Sequence, residues 1–166
     1  MVRPIHRTKP GGTYFITTNT WERRELFRKG NLASILEQKF FEYRDRGFYL
    51  AHRYVVMPDH LHVIMTPGGT TTVEKAVQLI KGGSSHAIGA RFPVWQPGFT
   101  EHLVRDDRDY MEHMQYIDFN PVKAGLAEKA EDYPFCSAHG NFELDPWPVA
   151  SGAKAPLRAG TILQRG

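Results

Sequence analysis

An α+β fold of the ferredoxin-like, split βαβ kind follows from three features of the chain. Extended and helical periodicities alternate as strand, helix, strand, strand, helix, strand between Thr13 and Val104. Two stretches carry amphipathic stripes of helical period, and a Pro58-Asp59 turn joins two runs rich in β-branched and aromatic residues. That order closes an antiparallel sheet with both helices on one face and leaves the other face free, and a third helix follows.

Thr13-Tyr14-Phe15-Ile16-Thr17-Thr18 comes after a Gly11-Gly12 break and reads as a first strand inside the sheet. From Asn31, Leu32, Ile35, Leu36, Phe40 and Tyr43 fall at i, i+3, i+4, i+8 and i+11, which predicts a helix ending near Gly47. Phe48 to Met57 then forms a second strand, and His60 to Thr66 returns beside it as a third. Thr71 and Glu74 have the spacing of a capping box, opening a second helix whose apolar side is Val73, Ala76, Val77 and Ile80. Gly82-Gly83 is expected to interrupt or loosen it, a flexible helix end rather than a phosphate cradle. Val94 to Val104 is strand material broken at Pro97-Gly98.

Asp106-Asp107 places acids at the positive end of a third helix with a buried stripe of Tyr110, Met114 and Ile117. Pro121 ends or kinks this helix soon after Asn120. Past Asn141 periodicity fades, so residues 1–145 read as one domain and 146–166 as an irregular basic tail.

Composition narrows the class. No run approaches the roughly 18 apolar residues of a membrane span, and the N-terminus lacks a secretory stretch, so a cytoplasmic protein is expected. The single cysteine, Cys136, leaves nitrogen and oxygen as the ligands for any metal held within one chain. The charge of +3 is unevenly spread. Of 21 Lys and Arg residues, Arg3, Arg7, Lys9, Lys154, Arg158 and Arg165 lie in two ends without acids, and the remaining 15 face 18 acids. Basic ends suit a polyanion, and equally suit solubilising flexible ends.

The chemistry concentrates in two places. In Met57-Pro58-Asp59-His60-Leu61-His62-Val63, the strand period points His60 and His62 to one face and Leu61 and Val63 to the other. Far downstream, Tyr116 and Asn120 are one helical turn apart, on a polar face with Asp109, Glu112 and His113. Imidazole nitrogens with an amide oxygen suit Mg²⁺ or Mn²⁺ with positions left open for a phosphate. A phenol beside such an ion is a candidate nucleophile. Alone, a strand His-x-His is more often structural than ligating. His86, His102, His113 and His139 read as surface or hydrogen-bonded histidines, and Trp21, Trp95 and Phe99 as core or interface residues.

Together these segments resemble the single-tyrosine, His-hydrophobic-His transposase superfamily of the IS200-like kind. The resemblance covers about Thr13 to Ser137, through Met57 to His62, Ile80-Lys81-Gly82, Val94 to Phe99, Glu101-His102, Val104-Arg105-Asp106, Tyr116 to Leu126 and Tyr133 to Ser137. Asn120-Pro121-Val122 is closest to the branch associated with repetitive extragenic palindromes (REP). Pro97, Glu101 and Cys136 depart from the family pattern and bear on DNA fit.

The resemblance implies a metal-dependent enzyme that cuts single-stranded DNA near hairpins through a 5′-phosphotyrosine and rejoins strands. Tyr116 would be the nucleophile, and His60, His62 and Asn120 the ligands of Mg²⁺ or Mn²⁺. DNA contacts are expected from Arg3, Arg7, Lys9, Lys81, Trp95, Gln96 and Arg105. The branch implies a monomer, with the dimer of insertion-sequence relatives as the alternative. Two other readings fit the elements: a non-catalytic ferredoxin-like nucleic-acid-binding module, and a metal hydrolase that uses water.

Overall fold

Four antiparallel strands in the spatial order β2-β3-β1-β4 form the central sheet of the computed structural model, which describes residues 8–147. They are β1 (Tyr14–Asn19), β2 (Tyr49–Met57), β3 (His60–Pro67) and β4 (Thr100–Leu103), interleaved with α1 (Gly30–Asp45), α2 (Val73–Ile88) and α3 (Asp107–Lys123). This is the expected split βαβ arrangement. Arg3, Arg7 and the basic tail from 148 onward lie outside the described residues. Among the described residues no helix is long and apolar enough to cross a membrane.

Alternation along β1 and β3 divides the core. Tyr14, Ile16, Leu61, Val63 and Met65 turn toward α1 and α2 and pack with Leu36, Phe40, Phe41, Val77 and Ile80. The opposite face is not free, contrary to expectation. Val55, Met57 and Ile64 present apolar surface there, and Tyr110 and Ile117 of α3 cover it together with Tyr133 and Cys136. Tyr133 donates its hydroxyl to the Val56 carbonyl at 2.7 Å, and the Val56 N–H reaches the Phe135 carbonyl at 2.8 Å.

Among the described residues past Asn141 there is no regular element, yet the chain is pinned as far as Trp147. The Asp145 N–H donates to the Ala51 carbonyl and its carboxylate accepts the Ala51 N–H, both at 2.8 Å. Phe142 stacks on Phe41 at 4.0 Å, and Trp147 stacks on Tyr110 at 4.6 Å. A register shift between Ala51 and Arg53 turns His52 inward, where Asp145 and Thr66 satisfy both ring nitrogens.

Three details differ from the sequence reading. The α2 cap is Thr72, whose side chain accepts the Lys75 N–H, and Thr71 lies outside. Gly82 and Gly83 do not break α2. Gly83 lies against the Tyr43 ring of α1, where a Cβ would collide with the hydroxyl, so this glycine permits the close approach of two helices. Strand material between Val94 and Val104 shrinks to four residues of β4 plus an isolated Thr20–Trp95 bridge, because Lys81 Nζ ties the intervening loop by donating to the Gln96 and Gly98 carbonyls.

Candidate active site

The β1–β3 register sets the surroundings of the paired histidines. Thr17 lies opposite His62 and Asn19 opposite His60. His62 Nδ1 is 2.7 Å from Thr17 Oγ1, and His60 Nδ1 donates to the Asp59 carboxylate at 2.7 Å. Asp59 is also held by Arg23 Nε at 3.0 Å. Both rings are thus gripped at Nδ1, and the His62 Nε2 is buried without a hydrogen-bond partner. A buried polar atom left open in this way is costly unless a ligand meets it, and neutral imidazole nitrogen is what a divalent ion needs.

Electrostatics keep the pair neutral. Burial, with His60 and Arg23 nearby, pushes the His62 pKa down to about 3. Burial also lowers that of His60, outweighing the Asp59 carboxylate. Asp59 itself is held below the usual carboxylate range, since His60 and Arg23 outweigh its own partial burial.

From the other side α3 brings Tyr116 over the same surface. Its ring centroid lies 5.3 Å from that of His62, at 72°, and the residue is 49% exposed. A cleft of about 540 Å³ is lined by His60, His62, Tyr116 and Asn120 together, so the four residues singled out in the sequence converge. Of the polar face expected to join them, only Tyr116 and Asn120 line the cleft. Glu112 pairs with Arg108, while Asp109 and His113 turn toward His102.

The expected DNA contacts fare differently. Lys9, Lys81, Trp95, Gln96 and Arg105 do not line the cleft. Trp95 is only 8% exposed, with its ring against Phe27 and its N–H donated to Ser84, so base stacking on it would require undoing the core. The Lys81 amine is spent on backbone carbonyls, and Gln96 Oε1 accepts the Glu22 N–H. Arg105 is exposed beside Asp109.

Arg23, Phe119 and Lys123 are among the cleft residues that escaped the sequence reading. Arg23 sits in a short turn with Glu22, both at positive φ (55° and 53°), and nothing local foretells its pairing with Asp59. Phe119 is 60% exposed at the cleft. Lys123 is the legible one: seven residues after Tyr116 and three after Asn120, it shares their helical face because α3 continues through Pro121.

His102 and His113, read as surface or hydrogen-bonded residues, form a hydrogen-bonded cluster with Asp109. His102 Nε2 lies 2.8 Å from Asp109 Oδ2, and His113 Nδ1 lies 3.1 Å from Asp109 Oδ1. All three ligand atoms fall within 4.8 Å of one another. Burial opposes the charge on Asp109, but the Arg105 N–H and His102 outweigh it and hold the carboxyl at about 2. The i, i+4 spacing of Asp109 and His113 was visible in the sequence, whereas His102 joins them only through the packing of α3 beside β4.

Residues 10–118 match the family described as Transposase IS200 like. The chain is similar to the REP-associated tyrosine transposase of Escherichia coli (strain K12), at 34% identity over 140 residues spanning 84% of each protein. A solved structure of a REP-associated tyrosine transposase bound to a REP hairpin superposes with a TM-score of 0.74 at 30% identity, covering 99% of this chain and 95% of that one.

Proposed function

Because the chain belongs to the IS200-like transposases, in the group of REP-associated tyrosine transposases, we propose that it cuts and rejoins single-stranded DNA beside hairpins with Tyr116 as nucleophile. The observation that carries the proposal is the position of the half-exposed Tyr116 ring, 5.3 Å from His62 across a solvent-open cleft.

In this reading the Tyr116 oxygen attacks a phosphodiester in the cleft. A phenol–phosphorus bond forms as the bond to the 3′-oxygen breaks; the phenol proton is released and the departing oxygen takes one up. The products are a 5′-phosphotyrosine and a free 3′-hydroxyl, and attack by a 3′-hydroxyl reverses the step and rejoins strands. His60 and His62, through Nε2, and Asn120, through its amide oxygen, would hold Mg²⁺ or Mn²⁺, which supplies charge neutralisation at a phosphate oxygen when bound. Asp59 and Thr17 orient the two rings for that role. Arg23 and Lys123 add positive charge for the phosphate, and Phe119 offers a face on which a flanking base stacks.

The catalytic unit proposed is the single domain 1–145, acting as a monomer. Tyr116 meets the histidines of its own chain, which supports that reading. Hairpin DNA carrying a labelled single-stranded flank, incubated with Mn²⁺ and run on a denaturing gel, tests the function. A covalent adduct is expected, lost with chelator and lost in Tyr116→Phe while binding stays within about twofold. An adduct that survives Tyr116→Phe overturns the nucleophile. Binding without any cleavage, indifferent to chelator, would instead identify a nucleic-acid-binding module.

A further inference from the structure

The geometry points to a second metal site, formed by His102 of β4 with Asp109 and His113 of α3, that takes a transition-metal dication such as Zn²⁺ or Co²⁺. It is separate from the cleft: the Phe15 ring stands between the two, with its centroid 4.6 Å from that of His113 and 5.3 Å from that of His62.

Three observations support it. First, the spacing suits one ion. Two ligands each about 2.1 Å from a common ion lie about 3.0–3.4 Å apart at octahedral to tetrahedral angles. The Asp109 oxygens here are 2.8 Å from His102 Nε2 and 3.1 Å from His113 Nδ1, and all three ligand atoms fall within 4.8 Å of one another. His113 Nδ1 also lies 2.8 Å from the Asp109 main-chain carbonyl oxygen, a contact that the ion would replace. Second, the two imidazoles are stacked, with centroids 4.6 Å apart and planes at 22°, so both approach the carboxylate from neighbouring directions.

Third, the carboxylate is supported as metal-ligating carboxylates are. Asp109 is 6% exposed, and its Oδ2 accepts the Arg105 N–H at 2.9 Å, which fixes the group without occupying its remaining lone pairs. His102 keeps 38% of its side chain exposed, which gives an ion a way in and a position for water.

Two imidazole nitrogens and one carboxylate oxygen form a donor set that zinc, cobalt or nickel accepts. The Arg105 guanidinium, 3.4 Å from Asp109 Oδ2 and 74% exposed, opposes the ion and must swing into solvent. A filled site would fasten β4 to the first two turns of α3, the helix that carries Tyr116.

The test does not depend on the proposed DNA chemistry. In a His60→Ala/His62→Ala variant, titration with Co²⁺ alone, followed by visible absorption and calorimetry, should saturate at one equivalent, and Zn²⁺ should raise the melting temperature. Adding His102→Gln and His113→Gln should abolish both effects. Arg105→Ala should tighten Co²⁺ several-fold, a response that hydrogen bonding alone does not predict. If the starting variant does not fold, the unaltered protein should lose one equivalent of Co²⁺ on His102→Gln. Absence of saturable binding, or binding unchanged by the His102 and His113 substitutions, overturns the site.

Discussion

The Asp59 carboxylate accepts the Nδ1 proton of His60 at 2.7 Å, so the residue before the first histidine sets which nitrogen that ring offers to the cleft. Outer partners of this kind are worth about 10- to 100-fold in metal affinity. Asp59→Ala should weaken Mn²⁺ binding at the cleft by that factor and leave the secondary structure intact, as calorimetry and circular dichroism would show. Unchanged affinity would mean that His60 is not a ligand, or that its orientation has another source.

Two neighbouring glycines of α2 should respond in opposite directions. Nothing lies within 4 Å of a Cβ at Gly82, so Gly82→Ala should stabilise the protein by about 0.5–1 kcal/mol through helix propensity. Gly83→Ala drives a methyl into Tyr43 and should cost about 1–3 kcal/mol. Urea denaturation of both variants measures the contrast, and equal effects would refute the packing argument.

Acid should weaken the metal-free protein early. Burial is the main cause that lowers the pKa values of His52, His60 and His62 from 6.5, the last to about 3. Above 6.5 both folded and unfolded chains carry these rings neutral and the stability is fully present. Below it the unfolded chain takes up protons that the fold resists, so stability falls by up to about 1.4 kcal/mol per pH unit for each histidine. Denaturation midpoints between about pH 7.5 and about pH 5 in chelator, where the lowered carboxylates still stay ionised, should decline steadily. A level profile would show that these rings titrate normally.

Phe119 and Lys123 should separate stacking from charge. Phe119→Ala removes an aromatic face worth about 1–3 kcal/mol per stacked base, so single-strand affinity should fall about tenfold with little change in salt dependence. Lys123→Ala should reduce the slope of log affinity against log salt by about 0.7. Fluorescence anisotropy across a salt series reads both, and identical salt slopes in the wild type and Lys123→Ala would remove Lys123 from the phosphate path.

Local chemistry was legible in the sequence. Strand period placed His60 and His62 on one face and Leu61 and Val63 on the other, and helical period placed Tyr116 and Asn120 together with Lys123 in reach, because both periodicities are properties of a few consecutive residues. The alternation of those periods also foretold the split βαβ fold, since a Pro58-Asp59 turn and two crossover helices leave few ways to close an antiparallel sheet. Tertiary structure alone decided which groups meet across the chain. It put Thr17 behind His62 through strand register, brought Arg23 to Asp59 from a left-handed turn, and set His102 beside Asp109. It also laid Tyr133, Cys136 and Trp147 over the second sheet face, because Val55, Met57 and Ile64 had to be buried and no local pattern says by what. Contacts between residues 36 to 94 positions apart depend on the packing of the whole molecule, and periodicity carries no record of it.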